Sequence, residues 1–122
     1  MVVMTPPFIQ RRWADIPREQ MASGVDRRFM SGERVTVAHF DLKRGSVVPR
    51  HAHENEQITQ VMKGVLKFLI EGREIVLREG EVLQIPSWTD HEVHVLEDSF
   101  AIDVFCPVRQ DWIDKTDDYF RK

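Results

Sequence analysis

QITQVMKGVLKFLIEGREIVLREGEVLQI, residues 57–85, is the stretch that decides the fold. Four apolar runs, Gln57–Lys63, Val65–Glu71, Glu74–Arg78 and Glu81–Ile85, are cut by Gly64, Gly72, Gly80 and Pro86. Runs this short, bounded by turn residues, read as strands rather than helices. Lys63-Gly64 and Glu71-Gly72 resemble hairpin turns, where glycine supplies a positive φ. The same texture extends outward. Upstream, Arg34–Lys43 ends at Gly45 and Ser46–Ala52 follows; downstream lie His91–Leu96 and Ser99–Phe105. Short strands with turn signals every few residues predict an all-β sandwich or barrel.

The β-rich text begins near Val25, so residues 23–109 are expected to form a single β-barrel. Residues 1–22 carry Pro6, Pro7 and Pro17 without a sustained period and read as an N-terminal arm with room for one short strand. Phe8, Ile9 and Trp13 suggest that this arm covers an edge, of its own barrel or of a partner subunit. Residues 110–122 form a charged tail. Trp112, Ile113, Tyr119 and Phe120 are spaced in it for docking, and a short helix fits there.

A chain of 122 residues is one domain with enough mass for its own core. A net charge of −3 argues against a nucleic-acid partner, which would need a basic stripe. No apolar run approaches the roughly 18 residues of a membrane span. The Met1–Pro7 stretch lacks the charged and apolar segments of a secretion signal. Cys106 is the only cysteine, which rules out an internal disulfide and makes the reducing cytoplasm the expected compartment.

The chemistry concentrates in His51-Ala52-His53-Glu54-Asn55-Glu56-Gln57, with His91 further on. His51, His53 and Gln57 share one parity, so on a strand His51 and His53 face the same point. Three imidazoles and one amide oxygen can close around one divalent transition metal: Ni, Zn, Mn or Fe. The alternatives are three unrelated surface histidines and a solvent-facing Gln57.

In two motifs the chain resembles the cupin superfamily of small jelly-roll barrels. The first is Gly45-x5-His51-x-His53-x3-Gln57-x6-Gly64; the second is Gly80-x5-Pro86-x-Trp88-x2-His91. The resemblance covers residues 34–109 and implies a single-domain jelly-roll β-barrel with a metal site. Gln57 stands where the family usually has Glu, which keeps an oxygen donor and removes a charge. Trp88 replaces a common Gly, which bears on the width of the pocket mouth.

The run Phe100-Ala-Ile-Asp103-Val-Phe105-Cys-Pro-Val-Arg109-Gln-Asp-Trp112 is further similar to the last strand of the KdgF-type pectin-degradation cupins. That resemblance implies opening of the ring of a 4,5-unsaturated uronate to a linear keto-sugar acid. It places catalytic roles on Asp103, Phe105 and Arg109, and a small anionic sugar acid as substrate.

Residue chemistry leaves each of these roles with a competitor. Asp103 inside a barrel would be costly unless paired or near a cation, and there it could move a proton. Simple alternation instead puts it outside, with Ile102 and Val104 in the core. Arg109 could hold a substrate carboxylate through two parallel hydrogen bonds, or pair with Asp111 or Glu92 at the surface. Phe105 could wall a sugar ring or fill the core. His39 and His94 read as structural strand histidines, and Cys106 as a small buried hydrophobe. Met62, Leu66, Phe68 and Ile70 read as barrel core or dimer packing. The expected function is a metal-dependent lyase or isomerase of a sugar acid, in a homodimer. The competitors are an iron-dependent dioxygenase and a non-catalytic carrier of a small ligand.

Overall fold

In the strand Glu56–Lys63, Gln57, Thr59 and Val61 are buried while Glu56, Ile58, Gln60 and Met62 are exposed. This alternation is the two-residue period of a strand with one face inward. The computed structural model describes residues 7–117. It contains a 3-10 turn at Trp13–Asp15 and ten strands. These are β1 (Glu19–Ala22), β2 (Val25–Ser31), β3 (Thr36–Leu42), β4 (Val47–His51), β5 (Glu56–Lys63), β6 (Val65–Ile70), β7 (Arg73–Arg78), β8 (Val82–Ile85), β9 (His91–Val95) and β10 (Ser99–Cys106). One helical turn, α1 (Gln110–Ile113), follows. Among the described residues no helix is long and apolar enough to cross a membrane.

The strands form two antiparallel sheets. One has the order β1-β2-β3-β10-β5-β8, the other β4-β9-β6-β7. From β3 onward the chain passes repeatedly between the sheets, which is the all-β jelly-roll arrangement expected. Apolar side chains converge at one end: Val61 of β5, Phe68 of β6, Val93 and Val95 of β9, and Ala101 of β10. The same strands carry polar residues toward their other ends: Gln57 and Thr59, His91, and Asp103. Register brings these together. His51 lies opposite His91, Asp103 opposite Thr59, and Phe105 opposite Gln57.

Two sequence readings need correction. Lys63-Gly64 does not turn a hairpin, because β5 and β6 belong to different sheets and do not pair. Gly64 is a corner, with a φ of 92° and with Ser99 Oγ and the Asp98 carbonyl lying where a Cβ would stand. Glu71-Gly72 does turn a hairpin: Ile70 pairs with Arg73, and φ is 48° and 78° at the two loop residues. Cys106 is exposed rather than buried, since at the end of β10 it falls on the outward parity. The expected arm contributes β1 to the sheet edge, and its Trp13 stacks on His39 of β3 at 3.6 Å between ring centres. Ile113 is half exposed, and Tyr119 and Phe120 lie outside the described residues.

Candidate metal centre and pocket

His51 ends β4, His91 begins β9 opposite it, and His53 lies two residues past β4 in the loop to β5. One ring nitrogen from each of the three lies within 4.8 Å of the others. The facing nitrogens follow from what the other ring atoms do. Nδ1 of His51 donates to the Pro49 carbonyl at 2.7 Å, Nδ1 of His53 to the Asn55 carbonyl at 3.0 Å, and Nδ1 of His91 to the Thr89 carbonyl at 2.9 Å. A carbonyl oxygen only accepts, so each Nδ1 carries the proton and each Nε2 presents a lone pair. Such backbone anchors are the usual outer contacts of metal-binding histidines.

Electrostatics keeps these rings neutral, the form that ligates. Burial is the main cause in each. It pushes His51 down to about 3 and His53 to about 4, and it also lowers His91. The Arg109 charge beside His53 adds to this, and two charged rings as close as His51 and His91 would repel.

Gln57 completes the group. Its amide nitrogen donates to Thr59 Oγ1 at 2.9 Å and lies 3.4 Å from Asp103 Oδ2, which turns Oε1 toward the imidazoles. Oε1 then sits 3.2 Å from Nε2 of His53, so two lone pairs face each other. Nε2 of His91 is buried without a hydrogen-bond partner among the described residues. Opposed lone pairs and an orphaned buried nitrogen are costly in an apolar interior. A cation among them removes both costs, so the donor set fits a divalent transition metal.

The adjoining pocket is lined by His51, Gln57, His91, Asp103, Phe105 and Arg109, among others. Asp103 faces inward with Ala101 and Phe105, while Ile102 and Val104 are only half buried on the outer face. Burial raises the Asp103 carboxyl to about 7, against the downward pull of the Thr59 hydroxyl and the Arg109 charge. Its Oδ1 has no hydrogen-bond partner among the described residues. A carboxyl poised near neutrality, with one bare oxygen in a pocket, can hold or release a proton.

Arg109 follows β10 and is fully buried. Its Nε and Nη2 donate to Asp111 Oδ1 and Oδ2 at 2.9 and 2.7 Å, so Asp111 takes the fork expected to grip a substrate. The guanidinium lies over the Phe105 ring at 4.7 Å and over Trp112 at 4.3 Å. It stands as a positive pole at the pocket wall.

His39 and His94 lie outside this group. His39 packs between Trp13 and Phe100, and His94 pairs with Glu92. Trp88 adopts a φ of 59° and its backbone N–H donates to the His53 carbonyl at 2.8 Å, but its indole is 69% exposed and does not line the pocket. The sequence reading missed Thr59 and Asn55. Thr59 shares the parity of Gln57, a signal that was there to use. Asn55 is buried and donates to the Pro107 and Val108 carbonyls, binding the His53 loop to the exit of β10. No local pattern announces that contact across 52 residues.

A family model described as a cupin domain matches residues 38–106. The pectin degradation protein KdgF of Dickeya dadantii (strain 3937) is 28% identical over 102 residues, spanning 81% of this chain and 93% of that relative. The structure of KdgF from Halomonas sp. superposes with a TM-score of 0.75 at 28% identity, covering 81% of this chain and 94% of that one. An RmlC-like cupin from Shewanella frigidimarina NCIMB 400 superposes with a TM-score of 0.79 at 22% identity, covering 88% and 96%.

Proposed function

The chain belongs to the cupin family, and from that premise we propose that it opens the ring of a 4,5-unsaturated uronate, as a metal-dependent isomerase. The observation that carries this reading is the bare Oδ1 of Asp103 in one pocket with His51 and His91, whose ring nitrogens lie within 4.8 Å of that of His53. The likeness to KdgF along most of both chains supports the substrate class.

Ring opening is a proton relocation. The bond between C1 and the ring oxygen breaks, the C1 carbonyl forms, and the enol left behind becomes a ketone when C4 takes a proton. One proton leaves the anomeric hydroxyl and one arrives at C4, so no oxidant or reductant is consumed. Asp103 is the carrier in this reading, taking the first proton and delivering the second. Phe105 gives the sugar ring an apolar wall, and the Arg109 charge favours an anionic substrate. His51, His53, His91 and Gln57 would hold Ni, Zn, Mn or Fe, which supplies positive charge near oxygens that gain electron density. A neutral Gln57 in place of a carboxylate leaves that charge less compensated. The proposal includes a cytoplasmic homodimer, for which the exposed Ile58, Met62 and Val82 of β5 and β8 are the candidate contacts.

Metal-loaded protein mixed with the unsaturated uronate should bleach the ultraviolet band of the conjugated acid without uptake of O₂. Asp103→Ala should slow this by about 10²- to 10⁴-fold, the usual contribution of a positioned proton carrier. Equal rates for wild type and variant, or oxygen consumption matching turnover, would overturn the reading.

A further inference from the structure

Arg27 of β2 is an arginine 2% exposed, on a strand that contributes nothing to the imidazole group. Its Nη1 donates to Asp117 Oδ2 at 3.0 Å, an ion pair in which both side chains are buried. Its Nη2 reaches Glu19 Oε1 of β1 at 3.3 Å. The same guanidinium lies over Trp112, 4.1 Å from its ring centre. Trp112 therefore carries two guanidiniums, Arg27 and Arg109. It also packs edge-on against Phe105, at 5.0 Å, and lines the pocket. Charge is balanced along the way, with Asp117 against Arg27 and Asp111 against Arg109.

We infer that Arg27 is a positioning residue for Arg109. The Arg27–Asp117 pair fixes residues 110–117 against β2, Trp112 transmits that position, and Arg109 is held where its charge meets the carboxylate of a bound sugar acid. This rests on the sugar-acid reading above for the ligand, but not for the mechanical coupling. The physical basis is the rigidity of the parts. A buried guanidinium with a carboxylate partner has one geometry, and cation–π contact ties it to a flat ring with few rotamers. The Nε of Arg27 is buried without a hydrogen-bond partner among the described residues. Burying such a donor has a cost that a purely structural core position could avoid with an apolar residue.

The test compares the metal-loaded full-length protein with Asp117→Asn, which keeps shape and removes the charge. Two readouts are needed. The first is solvent exchange of the Arg109 Nε–H, followed by nitrogen-15 NMR and assigned with Arg109→Lys. It should be slow in wild type and about tenfold faster in Asp117→Asn, because a tenfold change needs only about 1.4 kcal/mol of loosening. The second is calorimetric binding of galacturonate and of its neutral methyl ester. Affinity for the acid should fall about tenfold and that for the ester should hold, since only the acid meets the Arg109 charge. Should Asp117→Asn not fold, Glu19→Gln removes the half-exposed partner of the same guanidinium and should move both readouts the same way by a smaller factor. Unchanged exchange in a folded variant, or equal losses for acid and ester, overturns the inference. If wild type binds neither sugar while exchange still responds, the coupling stands and the substrate reading falls.

Discussion

Asp103 is a carboxyl whose environment raises it toward neutrality. Burial raises it to about 7, more strongly than the Thr59 hydroxyl and the Arg109 charge lower it. A carboxyl raised on folding contributes stability that is fully present below its ordinary value of 3.8 and is lost as pH climbs through about 7. The difference of some three pKa units corresponds to about 4 kcal/mol at most. In metal-free protein, Asp103→Asn should therefore gain on wild type in thermal melts as pH rises from about 4 to about 7. Parallel melting curves across that window would show that the carboxyl is not held protonated. This residue also marks a limit of sequence reading. By hydrophobicity Ile102 and Val104 should be core and Asp103 outside, yet the pleat of β10 buries Ser99, Ala101, Asp103 and Phe105. Alternation fixes which residues share a face but not which face is inside. Here the inward face is the less apolar one, because it ends in the site.

Two glycines separate what a turn signal says from what it leaves open. Gly64 and Gly72 both have positive φ, 92° and 78°, and both follow a charged residue. Gly72 has open space where a Cβ would go, so Gly72→Ala should cost about 1 kcal/mol, the penalty for a left-handed alanine. At Gly64 a Cβ meets Ser99 and the Asp98 carbonyl, so Gly64→Ala should cost about 2–4 kcal/mol once displacement of backbone is added. Urea melts of the two variants check this, and equal losses would mean that the corner is not tightly packed. The sequence marked both positions as breaks and bounded the later strands within a few residues. It could not tell a hairpin from a corner, because glycine serves both and the pairing partners of β5 lie in β10 and β8, far along the chain. β1 was hardly legible for a related reason. Four residues just after Pro17 give too short a period, and their partner is the next strand alone. The imidazole cluster was legible because His51 and His53 lie close in sequence, and the cupin spacing places His91.

At the scale of the whole molecule the candidate metal group is a stability statement. Folding brings three imidazoles and an amide oxygen together with lone pairs facing inward, an arrangement that is costly without a cation and favourable with one. A ligand that binds only the folded chain at a hundred times its dissociation constant adds about 2.7 kcal/mol. For a chain of this size that is a rise of about 10 °C in melting temperature. The pH dependence carries the sign of lowered histidines. Their contribution is fully present above the ordinary value of 6.5 and is lost as pH falls through about 4 for His53 and about 3 for His51. Metal-induced stabilisation should thus persist at pH about 5, where exposed histidines would already be protonated and unable to ligate. Melts with nickel or zinc, with and without chelator, should show the rise at pH 7 and at pH about 5 in wild type and lose it in His91→Ala. His91→Ala removes the orphaned nitrogen and spares the backbone anchors of His51 and His53. A chelator that leaves wild type unmoved, or a metal-induced rise that survives in His91→Ala, would show that the barrel gathers these side chains for something other than a cation.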